Sequence, residues 1–184
     1  MIQKEGKRLV TINLTAQQEL VSDIYQRADI EACGVLIGSL SNNCWSVERA
    51  HPLRNIAHSA VYFEFAPEDL LAVELAYPGQ IIGVYHSHPT GYARASSIDQ
   101  ENMRHVNQEE DIPWIWLIIC GPFDASTQQE EAHSSLLERR LIAYHHYQEQ
   151  GLQRIAVHYI ATPSLQYPQT DRREKEKPIP PHTS

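Results

Sequence analysis

Apolar positions along the chain fall into short blocks whose period shifts between two and three to four. From Arg8 to Thr15, "RLVTINLT" alternates and is β-branched, which predicts a strand. "TAQQELVSDIYQRA" then sets Leu20 and Ile24 four apart among polar residues, so an amphipathic helix follows, with Thr15 as its N-cap. Residues 32–40, "ACGVLIGSL", form a nearly continuous apolar run closed by Gly38 and "SNN". Such a run suits a strand covered on both faces, and "CWSVERAHPL" at 44–53 reads as its antiparallel partner.

"FAPEDLLAVELAY" at 65–77 has an early Pro67, acids in its first turn and apolar residues at helical spacing, so a second helix stops before Pro78 and Gly79. "QIIGVYHSH" at 80–88 predicts a strand and "SSIDQENMRHVNQ" at 96–108 a helix with a serine start. "PWIWLIICGP" at 113–122 is apolar enough for a central strand. The stretch 139–161 fits two strands joined around "EQG" at least as well as one helix; we read it as a hairpin. From Pro163 the chain turns to proline and charge with few aliphatic residues, too few to offset its ordering entropy. We therefore expect one domain over 1–162 and a disordered tail over 163–184. Strands and helices mix without regular βαβ alternation. This favours an α/β or α+β domain of three layers, a central mixed and largely antiparallel sheet flanked by helices.

Composition narrows the function. The chain has 184 residues, 42% hydrophobic and 21% charged, the balance of an ordinary folded domain. A formal charge of −8 argues against sequence-independent nucleic-acid binding, which needs Lys and Arg to displace counterions. Three cysteines, Cys33, Cys44 and Cys120, lack C-x-x-C spacing and build neither a disulfide framework nor a four-cysteine zinc site. The first residues, "MIQKEGKRLVTINLT", lack a secretory apolar core, and no apolar run approaches a membrane span, so a cytoplasmic location is expected.

The chemistry gathers in "GVYHSHPTGYARASSID", residues 83–99. On a strand, His86 and His88 point to one face and Ser87 to the other. Two neutral imidazoles suit zinc but leave its set incomplete, since catalytic zinc sites use three protein ligands and an open position. Asp99 follows after a loop containing Pro89 and Gly91, at the start of the predicted helix. Two histidines and one carboxylate would leave a divalent ion one net positive charge and room for a water that loses its proton near neutral pH. The same "SSID" also reads as a helix cap, with Ser96 as cap and Asp99 at the positive end of the dipole. His145 and His146 are adjacent and face opposite sides of a strand, which disfavours a shared metal. Cys33 reads as a small buried residue, and Trp114 and Trp116 share a core face.

His86-x-His88, seven residues, Ser96, two residues and Asp99 resembles the H-x-H-x7-S-x-x-D signature of JAMM (MPN-plus) metalloproteases of the Mov34/MPN group. "EACGVLIGS" from Glu31 resembles that family's segment bearing the catalytic glutamate, as written in its short prokaryotic members. "NIAHSAVYFEFAPEDL" resembles their connection of an asparagine, an aromatic strand and a proline at a helix start. The likeness spans roughly Leu9 to Ile160; extra prolines often found before the serine are missing from "TGYARASS".

The resemblance implies a cytidine-deaminase-like MPN fold and one zinc ion on His86, His88 and Asp99, with water at the fourth position. It also implies Glu31 as general base and Ser96 as the donor that steadies the oxyanion. Spacing alone does not select Glu31 over Glu48 or Glu64. The expected reaction is cleavage after the Gly-Gly tail of a ubiquitin-like sulfur-carrier protein. A metal-free MPN scaffold and a zinc amidase for small molecules are the rival readings.

Overall fold

The structure, a computed structural model, describes residues 8–123 and 133–161. The tail expected from 163 lies outside the described residues. Among the described residues seven strands and four α-helices follow one another as β1 (Leu9–Ile12), α1 (Leu14–Gln26), β2 (Cys33–Ser41), β3 (Cys44–Leu53), α2 (Pro67–Ala76), β4 (Ile81–His88), α3 (Ser97–Arg104), β5 (Ile115–Cys120), α4 (His133–Arg140), β6 (Leu141–Tyr147) and β7 (Gly151–Tyr159). A π-helical turn, His105–Glu109, prolongs α3.

The sheet runs β1-β3-β2-β4-β5-β6-β7 and closes on itself. It is mixed, with antiparallel pairs outnumbering parallel ones. The mixed α+β character is as expected, while the expected three layers around a central sheet are corrected to a closed barrel with helices packed on it. Closure comes from β1, whose two edges are both used: Leu9 pairs in register with Cys44 of β3 and with Ala156 of β7. Pairing partners this distant in sequence leave no local pattern to read.

The two apolar faces of β4 and β5 are covered separately. Tyr85, Leu117 and Ile119 pack with Leu20 and Ile24 of α1 and Leu136 and Leu137 of α4. Val84, Trp116 and Ile118 pack with Met103 of α3, and Trp114 joins the same cluster. Every residue of β5 is buried, as its uninterrupted apolar run predicts. Gly83 lets β4 lie this close to β5, since a Cβ there would stand 2.1 Å from Ile115 O.

The β2–β3 and β6–β7 hairpins form as expected. α1 starts two residues earlier than read: Asn13, not Thr15, is the N-cap, its Oδ1 accepting from Ala16 N at 2.8 Å. Both residue types cap well, and the chain leaves β1 at Ile12, which places Asn13 at the junction. The aromatic segment before α2 is a loop with a single bridge between Asn55 and Phe65 rather than a strand. Helix α4 had no clear signal in the sequence. Among the described residues no helix is long and apolar enough to cross a membrane.

Candidate metal centre

β4 ends in the "HSH" triplet, and its pleat separates the three side chains. Ser87 faces away from the histidines: its Oγ accepts from Ala32 N at 2.9 Å, and its own N–H donates to Ala32 O at 2.8 Å. These two bonds tie the segment entering β2 to β4. His86 and His88 face α3, with their Nε2 atoms 3.1 Å apart. After β4 the chain turns through Gly91, whose positive φ of 84° suits glycine. Gly91 N and Gly121 N both donate to His88 O. The turn delivers Ser96 and Asp99 to the open side of the imidazoles.

At that point the two readings of "SSID" prove compatible. Ser96 and Asp99 form a capping box: Ser96 Oγ accepts from Asp99 N at 3.1 Å, and Asp99 Oδ2 accepts from Ser96 N at 2.7 Å. The same carboxylate reaches the histidines, with Oδ1 at 3.2 Å from His86 Nε2 and Oδ2 at 3.3 Å from His88 Nε2. The cap therefore aims the carboxylate.

These spacings test whether a metal fits. Ligand bonds of about 2.0–2.2 Å at tetrahedral angles put neighbouring ligand atoms roughly 3.3–3.6 Å apart. Of the observed distances, 3.3 Å lies at the short end of that range and 3.1 and 3.2 Å just below it, the two carboxylate distances being to different oxygens of Asp99, so a small outward shift of the three side chains seats an ion. All three residues are buried, and among the described residues they are the group of His, Cys, Asp and Glu that can hold an ion. His88 Nδ1 donates to Tyr92 O at 2.7 Å, which leaves the Nε2 lone pair facing inward. His86 lacks such a bond; its buried Nδ1 has no partner among the described residues, and its ring stacks on Phe63 with centroids 4.7 Å apart. Burial pushes His86 down, against the opposing effect of Asp99. For Asp99 burial opposes ionisation, but the neighbouring imidazoles of His86 and His88 and the hydrogen bond from Ser96 outweigh it and hold the carboxyl well below its usual range. Two inward nitrogens and one carboxylate make a donor set that fits a divalent ion such as zinc.

Glu31 lies just before β2, 4% exposed, with Oε1 at 3.9 Å from His88 Nε2. Burial pushes it up to about 7, with Asp99 adding to the rise and His88 opposing it. Glu48 and Glu64, which spacing left open, are both exposed. Glu31, His88 and Ser96 share the wall of a cleft of about 270 Å3 with Ala60, Val61, Thr90 and Tyr92.

Other residues behave as the sequence suggests. Cys33 is fully buried and its thiol is pushed up to about 12 by burial. His145 packs its ring on Trp45 and bonds Trp114 O through Nδ1 at 2.9 Å. Three contributors escaped the sequence: Tyr92, through its carbonyl, Phe63 and Asn55. A backbone acceptor leaves no residue signal, and the ring and amide gain meaning only from what they touch.

Comparison with known proteins adds family and fold. No curated protein matches the chain. Among solved structures, the solution structure of protein DSY2949 from Desulfitobacterium hafniense is similar with a TM-score of 0.61 and 20% identity, covering 83% of this chain and 93% of that one. At that identity the likeness concerns the fold alone. The family model described as prokaryotic homologs of the JAB domain matches residues 15–136, and the signature that resembled JAMM metalloproteases lies inside that span. On this match, which takes in Glu31, His86, His88, Ser96 and Asp99, the chain belongs to the prokaryotic homologues of the JAB domain, the short prokaryotic JAMM/MPN type.

Proposed function

We propose that the chain is a zinc-dependent peptidase or isopeptidase that hydrolyses the amide bond after the C-terminal Gly-Gly tail of a ubiquitin-like sulfur-carrier protein. One observation carries this reading: the buried ligand atoms of His86, His88 and Asp99 converge beside Glu31 in a cleft. His86, His88 and Asp99 would hold one zinc ion per chain. When bound, zinc supplies Lewis acidity, which polarises a carbonyl and makes water a usable nucleophile at neutral pH.

Glu31 accepts the proton of the attacking water and returns it to the leaving amine. A carboxyl raised to about 7 is suited to both transfers, because neither protonation state is strongly preferred. Ser96 Oγ accepts from Asp99 N, so its own hydroxyl proton is available for the oxyanion that forms as the carbonyl is attacked. His88 is kept in one tautomer and one orientation by Tyr92 O. A Gly-Gly end reaches a buried centre because it has no side chains, and its extended backbone can pair as an added strand. Ala60, Val61 and Tyr92 give the cleft an apolar wall against which such a tail can lie.

The test has two arms. Protein purified without added metal is assayed for zinc, and a panel of ubiquitin-like proteins carrying a peptide after Gly-Gly is assayed for cleavage, beside simple amides. Zinc near one per chain with cleavage that Glu31→Gln abolishes supports the proposal. Absence of zinc and cleavage favours a scaffold. Turnover of simple amides alone favours a small-molecule amidase, and cleavage undiminished in Glu31→Gln removes Glu31 from the role of base.

A further inference from the structure

Glu31 lies outside the sheet: the ladder begins two residues later, at Cys33. A buried peptide group outside a ladder needs other partners, and both of Glu31's come from one loop, residues 54–66. Its N–H donates to Ser59 O at 2.8 Å, and its carbonyl accepts from Asn55 Nδ2 at 3.1 Å. The loop in turn is organised by the Asn55 side chain, 3% exposed. Asn55 Oδ1 accepts from Ala57 N at 3.0 Å and Glu64 N at 3.2 Å, while Nδ2 also donates to Tyr62 O at 3.1 Å. This one amide thus uses its full inventory of two donors and two acceptor sites. The residue after Tyr62 is Phe63, whose ring lies on His86.

We propose that Asn55 is the positioning residue for Glu31. It sets where the Glu31 carboxyl stands relative to His86, His88 and Asp99, and it acts through the Glu31 backbone. The chain is pinned on each side of that carboxyl: Ala32 is tied to Ser87 of β4, and Glu31 itself is tied to the loop. Without Asn55 the bond to the Glu31 carbonyl is lost and the loop that presents Ser59 O to the Glu31 N–H loses its organiser, while the Ala32–Ser87 tie remains, so Glu31 swings about Ala32. The catalytic part of this inference rests on the proposed function, in which Glu31 is the base.

Two substitutions separate positioning from simple support. Asn55→Ala removes all four bonds. Asn55→Asp keeps the acceptor that holds Ala57 and Glu64 but sets an oxygen against the Glu31 and Tyr62 carbonyls. The measurements are zinc affinity, backbone amide exchange at Glu31 and Ala32, and cleavage of the Gly-Gly fusion panel. In both variants the Glu31 amide is expected to exchange at least about 10-fold faster while Ala32 keeps its protection and zinc affinity stays within about 3-fold. Turnover is expected to fall about 10–100-fold at nearly constant KM, the scale for a displaced catalytic group.

Unchanged exchange at Glu31 in folded Asn55→Asp overturns the proposal, as does faster exchange with full turnover. A parallel loss of zinc, or failure of both variants to fold, assigns Asn55 a general structural role and also overturns it. If the wild-type protein cleaves no substrate, the proposed function fails, and the exchange and zinc measurements still decide whether Asn55 positions Glu31.

Discussion

Replacing Glu31 by glutamine should stabilise the metal-free protein at alkaline pH. Unfolded, this glutamate titrates near 4.5; folded, burial, reinforced by Asp99 and opposed by His88, pushes it up to about 7. Between those values the native state holds the proton more tightly than the unfolded chain does. Stability therefore falls as pH rises through that window, and the penalty is complete above about 7. The separation of about 2.5 pH units corresponds to about 3 kcal/mol, which water in the adjoining cleft screens to about 1–3 kcal/mol. Glutamine is nearly isosteric and stays neutral. The contact it replaces, 3.9 Å to His88 Nε2, is too long to be a hydrogen bond.

Urea denaturation of chelator-treated wild-type and Glu31→Gln proteins across pH measures the effect. The stability gap should open from a few tenths of a kcal/mol near pH 4.5 to about 1–3 kcal/mol in favour of the variant at pH 8. At the upper pH this equals roughly 3–10 °C in Tm for a chain of this size. Taking the difference between the two proteins cancels most of the titration of His86, His88 and Asp99. Parallel profiles, or a variant that loses stability at pH 8, would refute the idea that Glu31 is raised by desolvation.

Asp99→Asn should reduce bound zinc from about one per chain to almost none, because the anionic ligand and the acceptor of the capping box are altered together; metal analysis after gel filtration reads this. Chelation of the wild-type protein should lower Tm and zinc should restore it, with the recovery weakening as acid pH protonates His88, whose hydrogen bonds to Asp99 and Tyr92 outweigh burial and raise it above its ordinary 6.5. Ser87→Ala should cost about 1–3 kcal/mol in urea denaturation, since Ala32 N–H loses its buried acceptor, yet zinc content should not change because Ser87 points away from the histidines. Gly83→Ala should destabilise the fold by about 1–3 kcal/mol or more, as a methyl group 2.1 Å from Ile115 O forces β4 and β5 apart; equal stability would mean that the two strands can separate freely.

Much of the site could be read from the chain because it depends on short-range geometry. Strand alternation alone places His86 and His88 on one face with Ser87 opposite, and cap chemistry alone places Asp99 at a helix start beside Ser96. Two- and four-residue repeats likewise located most strands and helices, since covalent geometry and local hydrogen bonding generate those periods. Where several cap-forming residues crowded one junction, as at Asn13 and Thr15, the repeat did not resolve which one begins the helix.

Other features arose only when distant segments met. The closure of the sheet needs β1 to find both β3 and β7, and nothing within four residues of strand encodes two partners. Choosing Glu31 over Glu48 or Glu64 needs to know which carboxyl the fold buries beside His88. The roles of Asn55, Phe63 and Tyr92 O exist only as contacts across the folded chain. Thus the sequence by itself determined most strand and helix types and brought out His86, His88 and Asp99 as candidate ligands, because strand alternation and helix capping follow from bond geometry repeated along the backbone. The tertiary structure alone decided the barrel and the neighbours that tune the trio, because burial and long-range pairing are properties of the whole packed chain.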